Sequence, residues 1–240
     1  MHEEGAPTEQ ELGKSLIDAA AEAGVEHLIY SGLASASIIT KSALPNEIID
    51  DKYAISEYAK SNSNFKSATI VSPGWYLENH LPEEMAPFCG GFPFNQDDEG
   101  YLALRFPRWG TDEIPFVSIT EDFGDFVHGV LLAPEWYHGK FIQAISVNAK
   151  AEELVSAFEK VTRKKSRFVP IEDWKTMDTY GATEYITIRD MFGFCQISGG
   201  LYCGRPNDTM DAKQLKAAAA AAKGQDKKSN GLATLESFLA

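Results

Sequence analysis

Several side chains in the 240-residue chain are of the types that transfer protons in enzymes. Lys52, Tyr76, Glu78, His80 and Asp122 belong to this group, and each of these side-chain types can act as a general acid or base. Their chemistry would be an isomerisation or a cyclisation that needs no cofactor. The sequence has no paired carboxylates and no nucleophile–base pair in a catalytic pattern, so the residue types alone support this hypothesis weakly.

The short motifs that identify common enzyme classes do not occur in the sequence. There is no GxSxG nucleophile elbow, no HExxH zinc motif and no Walker A loop. The Tyr-x-x-x-Lys pair of short-chain dehydrogenases is also missing. The five histidines show no metal-ligand spacing, and we expect no bound metal. Three cysteines without a CxxC pair favour a reducing compartment over a disulfide framework.

The charge and composition exclude several other classes of protein. The chain has 22 basic and 35 acidic residues and a net charge of −13. This charge opposes direct binding to nucleic acid and to anionic membranes, which both need clustered Lys and Arg. A hydrophobic content of 44% favours a folded core, and no apolar run approaches the ~20 residues of a membrane span. We expect a soluble cytoplasmic protein, or a nuclear one.

Apolar spacing and capping residues predict that helices and strands alternate along the chain. Thr8 and Glu11 form a capping-box pattern at the start of a helix that ends at Gly24. A buried strand is predicted at 25–32, a helix at 47–60 and a second strand at 67–72. This order predicts a parallel sheet with crossover helices.

Later segments are predicted in the same way. Thr120 is a candidate cap for the helix that follows it, and a single strand is predicted at 141–147. Irregular loops are predicted at 34–46 and 86–100.

Five local strings, taken together, resemble a known family. They are GVEHLIYSGL at 24–33, DK at 51–52, SPGWYLEN at 72–79, VSITEDFG at 117–124 and AEEL at 151–154. Their order and spacing resemble the NmrA-like family, whose members are atypical relatives of the short-chain dehydrogenases. The resemblance continues to LATLE at 232–236 and so covers nearly the whole chain.

The resemblance implies an α/β fold, a partial Rossmann-like parallel sheet with flanking helices plus a smaller α/β substrate lobe. It implies an oxidoreductase that uses NADP, or NAD, on a small-molecule substrate. Lys52 matches the lysine that reaches the nicotinamide ribose, and it is the one catalytic candidate. The remaining residues that match the cofactor site are Ser31, Gly32, Leu33, Tyr76, Leu77, Glu78 and Asn79.

The sequence departs from the family pattern in two ways. Some members carry a histidine four residues before this lysine, and Ile48 stands there, so a proton relay through that position is not expected. The sequence also contains no GxGxxG or GxxGxxG turn, which would hold the pyrophosphate at a helix N-terminus. That turn and the first strands would lie before residue 1, so we do not expect tight dinucleotide binding.

The same resemblance divides the chain into two units. Residues 1–85 and 110–147 would form the NAD(P)-binding part, and residues 86–109 and 148–240 the substrate lobe and a helical tail. A sheet without its first strands would have an open edge, which predicts a homodimer or rearranged N-terminal packing. An alternative to the enzyme is a non-catalytic, redox-sensing regulator that binds a partner protein.

Overall fold

The computed structural model of the protein describes residues 6–225 and 231–240. The strands are β1 (His27–Tyr30), β2 (Ser67–Pro73), β3 (Trp75–Tyr76), β4 (Leu102–Leu104), β5 (Glu113–Val117), β6 (Phe141–Ala144), β7 (Val147–Lys150) and β8 (Ser166–Phe168). The α-helices are α1 (Glu9–Glu22), α2 (Ala36–Ile39), α3 (Glu47–Ser61), α4 (Gly124–Leu131), α5 (Ala151–Thr162), α6 (Thr183–Ile197), α7 (Met210–Ala222) and α8 (Leu235–Leu239). Short 3-10 helices include Leu77–His80 and Glu83–Cys89.

The strands form three small sheets. The first is parallel throughout, with the order β1-β2-β6. The second has the order β3-β5-β7, in which β3 and β5 are parallel and β5 and β7 are antiparallel. The third pairs β4 with β8 in parallel. The predicted α/β fold with parallel strands and flanking helices is confirmed.

The chain passes from the first sheet to the second at two neighbouring places. Strand β2 continues into β3 through Gly74, and β6 continues into β7 through Ile145 and Ser146. The Gly74 amide donates to the Ala144 carbonyl at 3.1 Å, so the two crossings lie side by side. The predicted single strand at 141–147 is therefore wrong, because the segment pairs with β2 before the crossing and with β5 after it.

Local sequence explains where the helices begin. Thr8 accepts a hydrogen bond from the Glu11 amide while the Glu11 carboxylate accepts one from the Thr8 amide, which is the predicted capping box. Asn46 caps α3 by accepting from the Ile49 amide at 3.2 Å. These caps satisfy amides that have no partner inside the helix.

Three boundaries differ from the prediction. Ser118, not Thr120, caps the helical segment that leads into α4, because the Ser118 hydroxyl accepts from the Glu121 amide at 3.2 Å. The predicted loop at 34–46 contains α2, which Ser35 caps. The 3-10 helix Glu83–Cys89 extends into the loop predicted at 86–100.

Apolar side chains collect in one large and two smaller clusters. The largest joins the second and third sheets to α5 and α6. A second lies between the first sheet and the helices α4 and α7, and a third between α1 and α3. The proposed division into two units stays a prediction, and parts of it (residues 1–5 and 226–230) lie outside the described residues. None of the described helices has the length and apolar character needed to cross a membrane.

Candidate functional site

A cavity of about 190 Å³ opens at the carboxyl ends of β1 and β2. In open α/β sheets, ligands bind in the crevice at this edge. Gly74 permits the tight packing behind the cavity, since a Cβ there would lie 2.2 Å from the Pro115 carbonyl oxygen. The lining residues are Ser31, Leu33, Lys52, Pro73, Gly74, Trp75, Tyr76, Asn79 and Tyr202.

Five of the predicted site residues meet in this cavity. Ser31 and Leu33 follow β1, Lys52 lies on α3, and Tyr76 and Asn79 lie beyond β2. Their assignment to a cofactor stays a prediction, but the structure brings together side chains that the sequence separates by up to 48 positions.

Lys52 is the cation that lines the cavity. Its ammonium group donates to the Glu9 carboxylate on α1 at 2.6 Å, and about a third of the side chain is exposed. Burial lowers the pKa of Lys52, but the hydrogen bond and the charge of Glu9 outweigh burial, so the pKa is raised. Lys52 is therefore charged at neutral pH and keeps two further N–H donors.

Two tyrosines, Tyr76 and Tyr202, line the same cavity as this cation. Burial raises the pKa of Tyr76, although Lys52 acts in the opposite direction. Burial raises the pKa of Tyr202 well above its ordinary value, with smaller contributions from Cys195 and Cys203. Both phenols are thus protonated at neutral pH and can donate a proton or a hydrogen bond.

Asn79 is held at the cavity by its neighbour Glu78. The Glu78 carboxylate accepts from the Thr120 amide at 3.0 Å, the Thr120 hydroxyl at 2.9 Å and the Ser118 hydroxyl at 3.2 Å. Burial raises the pKa of Glu78, but these hydrogen bonds outweigh burial and the pKa is lowered. The Asn79 side chain forms no hydrogen bond with any described residue, so its amide is available to a ligand.

The other three predicted residues lie outside the cavity lining. Leu77 is fully buried in the large core cluster, and Glu78 braces the 3-10 helix as described. Gly32 lies against α3, where a Cβ would come within 2.1 Å of the Ser56 hydroxyl oxygen. These residues position the cavity walls in this structure, and direct contact with a cofactor stays a prediction for them.

Tyr202 is the lining residue that the sequence reasoning missed. It lies between α6 and α7, 8% exposed, and packs against Trp109 at 5.8 Å between ring centroids. No helical or strand periodicity marks this segment. The only local signal is the turn-forming set of Gly199, Gly200 and Gly204, all with positive φ.

The remaining proton-transfer candidates lie elsewhere. His80 is 4% exposed, and burial lowers its pKa to about 4, so it is neutral at pH 7. Asp122 is fully buried and accepts from the Lys216 ammonium group and from the Ala233 amide. Neither side chain lines the cavity. Within the described ranges, no group of three His, Cys, Asp or Glu side chains could hold a metal ion.

The fold is an open α/β fold with a cavity beyond two parallel strand ends, which is the place where ligands bind in proteins of this class. The model of the NmrA-like family matches residues 3–220, and the chain belongs to this family.

Named relatives in this family are oxidoreductases from fungi. The chain is 40% identical over 234 residues to the NmrA-like family domain-containing oxidoreductase hkm9 of Aspergillus hancockii. The aligned region covers 97% of this chain and 70% of that relative. It is 42% identical over 216 residues to the NmrA-like family domain-containing oxidoreductase lnaB of Aspergillus flavus. The aligned region covers 89% of this chain and 65% of that relative. The chain thus spans about two thirds of the length of these relatives.

Solved structures agree with the fold. NmrA, a negative transcriptional regulator solved in complex with NADP, superposes with a TM-score of 0.67 at 16% identity over 96% of this chain and 68% of that chain. The Escherichia coli NADPH-dependent quinone oxidoreductase QOR2, solved with NADPH, has a TM-score of 0.62 at 16% identity over 96% of this chain and 70% of that chain. At these identities the likeness supports the fold alone.

Proposed function

We propose that this chain binds the nicotinamide half of NADP(H) in the cavity at the ends of β1 and β2, and uses it to reduce a small organic substrate. The observation that carries the proposal is the meeting of Lys52, Tyr76 and Asn79 around one cavity. Relatives named as oxidoreductases and neighbours solved with NADP or NADPH add to its support.

The donor set fits a nicotinamide riboside. Lys52 and Ser31 offer N–H and O–H groups to ribose hydroxyls, and the free Asn79 side chain has both a donor and an acceptor for a carboxamide. A cavity of about 190 Å³ is smaller than the roughly 300–1,000 Å³ of pockets for drug-sized ligands. It therefore fits one end of a dinucleotide, not the whole molecule.

A reduced nicotinamide, when bound, supplies a hydride. The chain's own contribution is the proton that completes a two-electron reduction. Tyr76 is the proposed donor, because its hydroxyl is protonated at neutral pH and the residue is 38% exposed. The positive charge of Lys52 stabilises the phenolate that remains after the transfer. Tyr202 also lines the cavity, and its raised pKa keeps the phenol protonated, so it can donate a hydrogen bond without ionising.

Calorimetric titration with NADPH tests the binding step. We expect saturable binding to the wild type and about tenfold weaker binding to Lys52→Met, since a charge-assisted hydrogen bond contributes about 1.5–3 kcal/mol and Lys52 is partly exposed. Lys60→Met is the matched control, because Lys60 lies on the same helix, is ion-paired with Glu57 at 2.6 Å and does not line the cavity. Absence of binding, or equal binding by both variants, would contradict the proposal.

Two further measurements refine the result. Reduced nicotinamide mononucleotide has no adenosine half, so similar affinities for it and for NADPH would locate the contacts at the nicotinamide end. Loss of NADPH absorbance in the presence of quinones, enones and imines tests turnover. Tyr76→Phe is expected to bind NADPH normally and to lose turnover, whereas full turnover by this variant would remove Tyr76 from the mechanism.

A further inference from the structure

A second cleft, separate from the cavity, lies where the loop after the 3-10 helix Glu83–Cys89 meets β4. It encloses about 480 Å³ and shares no lining residue with the first cavity. Its walls include Gly90, Asn95, Gln96, Asp97, Arg105 and Tyr180. None of these residues has a part in the proposed reduction.

Arg105 gives the cleft its charge. It forms no ion pair with any described residue, whereas Arg108, Arg167 and Arg189 each pair with a carboxylate. No carboxylate whose side chain the structure describes pairs with this guanidinium group, which has the donors to bind an anion.

The one carboxylate in the cleft wall does not neutralise Arg105. Asp97 accepts two hydrogen bonds from Arg167, at 2.6 and 3.0 Å, and two more from the amides of Glu99 and Tyr101. Arg167 pairs with Asp97 and also with Glu99 at 2.9 Å, and the oxygen atoms of Asp97 already have partners. Among the residues that line the cleft, Arg105 is the cation.

The stem of Arg105 is restrained on two sides. Its amide donates to the Cys89 carbonyl at 2.9 Å. Its side chain lies along Gly90, where a Cβ would come within 2.5–3.0 Å of three of the stem carbons. Gly90 has φ +68°, which glycine adopts without strain. Because Gly90 has no side chain, the Arg105 stem can occupy the space beside it.

Aromatic rings border the same cleft. Tyr180 is 66% exposed and contacts the Tyr185 ring edge-to-face at 5.4 Å, and Tyr185 stacks on Phe88 at 4.2 Å. These three rings form an aromatic cluster, and its outermost ring, that of Tyr180, lies in the cleft wall. A planar ligand can stack on the exposed Tyr180 ring while the Arg105 guanidinium group binds its carboxylate in two parallel hydrogen bonds.

We propose that the cleft of Arg105 and Tyr180 is a binding site for a planar aromatic carboxylate. Its position apart from the first cavity makes it independent of NADP(H) binding.

Titration with 1-naphthoate, and with its neutral amide 1-naphthamide, tests the site. We expect the wild type to bind the acid, the amide to bind much more weakly, and Arg105→Gln to lose about tenfold or more in affinity for the acid, as removal of a charged hydrogen bond requires. Arg163→Gln is the matched control, because Arg163 also lacks an ion pair among the described residues and lies outside the cleft. Tyr180→Leu is expected to weaken binding of the acid as well.

Three results would overturn the proposal. The first is that Arg105→Gln binds the acid as tightly as the wild type does. The second is that Arg163→Gln loses as much affinity for the acid as Arg105→Gln. The third is that the wild type binds the acid and the amide equally well. Each variant is also titrated with NADPH, where Arg105→Gln is expected to match the wild type. A failure in the first cavity is thereby distinguished from a failure in this cleft.

Discussion

The buried ion pair of Asp122 and Lys216 ties the helix α7 and the C-terminal segment to the turn that precedes α4. The Asp122 side chain is fully buried and that of Lys216 is 8% exposed. The other Asp122 oxygen accepts from the Ala233 amide at 2.9 Å. Replacement of Lys216 by Met keeps most of the aliphatic stem and removes the ammonium group, so it leaves a buried carboxylate with one remaining donor among the described residues.

The expected cost follows from that burial. Removal of one partner from a buried ion pair lowers the free energy of unfolding by about 3–5 kcal/mol, because the remaining charge loses its compensation. For a domain of this size, 1 kcal/mol corresponds to roughly 2–4 °C in Tm, so the expected decrease is roughly 6–20 °C. The double variant Asp122→Asn/Lys216→Met removes both charges and should be more stable than Lys216→Met alone.

Urea unfolding followed by circular dichroism measures these differences. Lys213→Met is the control on the same helix, where the side chain is exposed and a change within about 0.5 kcal/mol is expected. If Lys216→Met unfolds within about 1 kcal/mol of the wild type, or the double variant is less stable than the single one, the account of this pair is wrong.

Three further predictions concern the backbone, pH and the thiols. Gly74→Ala should lower the free energy of unfolding by about 1–3 kcal/mol, because the added Cβ would lie 2.2 Å from the Pro115 carbonyl oxygen; urea unfolding measures this, and an unchanged midpoint would contradict it. The lowered pKa of Glu78 means that its contribution to stability is present above pH 4.5 and is lost as the pH falls through the lower folded-state value. Glu78→Gln should therefore be less stable than the wild type at pH 7 and differ less from it at pH 3, and a gap that widens on acidification would refute the assignment. Burial raises the pKa of Cys89 and Cys203 to about 12, so Ellman's reagent should label them at neutral pH only after denaturation; rapid labelling of the folded chain would show that they are accessible.

Local chemistry explains which parts of the fold the sequence could predict. The capping box of Thr8 and Glu11 and the buried strand at 67–72 depend on residues close together in the chain. The rule that ligands bind beyond the carboxyl ends of parallel strands indicated Ser31, and the resemblance to the NmrA-like family indicated Lys52. The predicted cavity residues that the structure confirms as neighbours all lie within 50 residues of one another.

Long-range contacts explain what the sequence could not predict. Tyr202 enters the cavity from an irregular segment whose position depends on packing against Trp109. The strand at 141–147 divides because its two halves pair with different partners, β2 and β5. Arg105 lines the second cleft and forms no ion pair with any described residue. No sequence pattern predicts this absence of a partner, because it depends on the folded positions of the carboxylates.

The cavity walls also set the order in which the protein becomes competent during synthesis. Ser31 and Lys52 leave the ribosome before Tyr202 does, so the growing chain carries an unfinished site until Tyr202 emerges. Trp75 lines the cavity and packs 5.4 Å from Phe192 between ring centroids. Its fluorescence during refolding therefore reports when α6 packs against the cavity wall. This step is distinct from the pairing of β1 with β2.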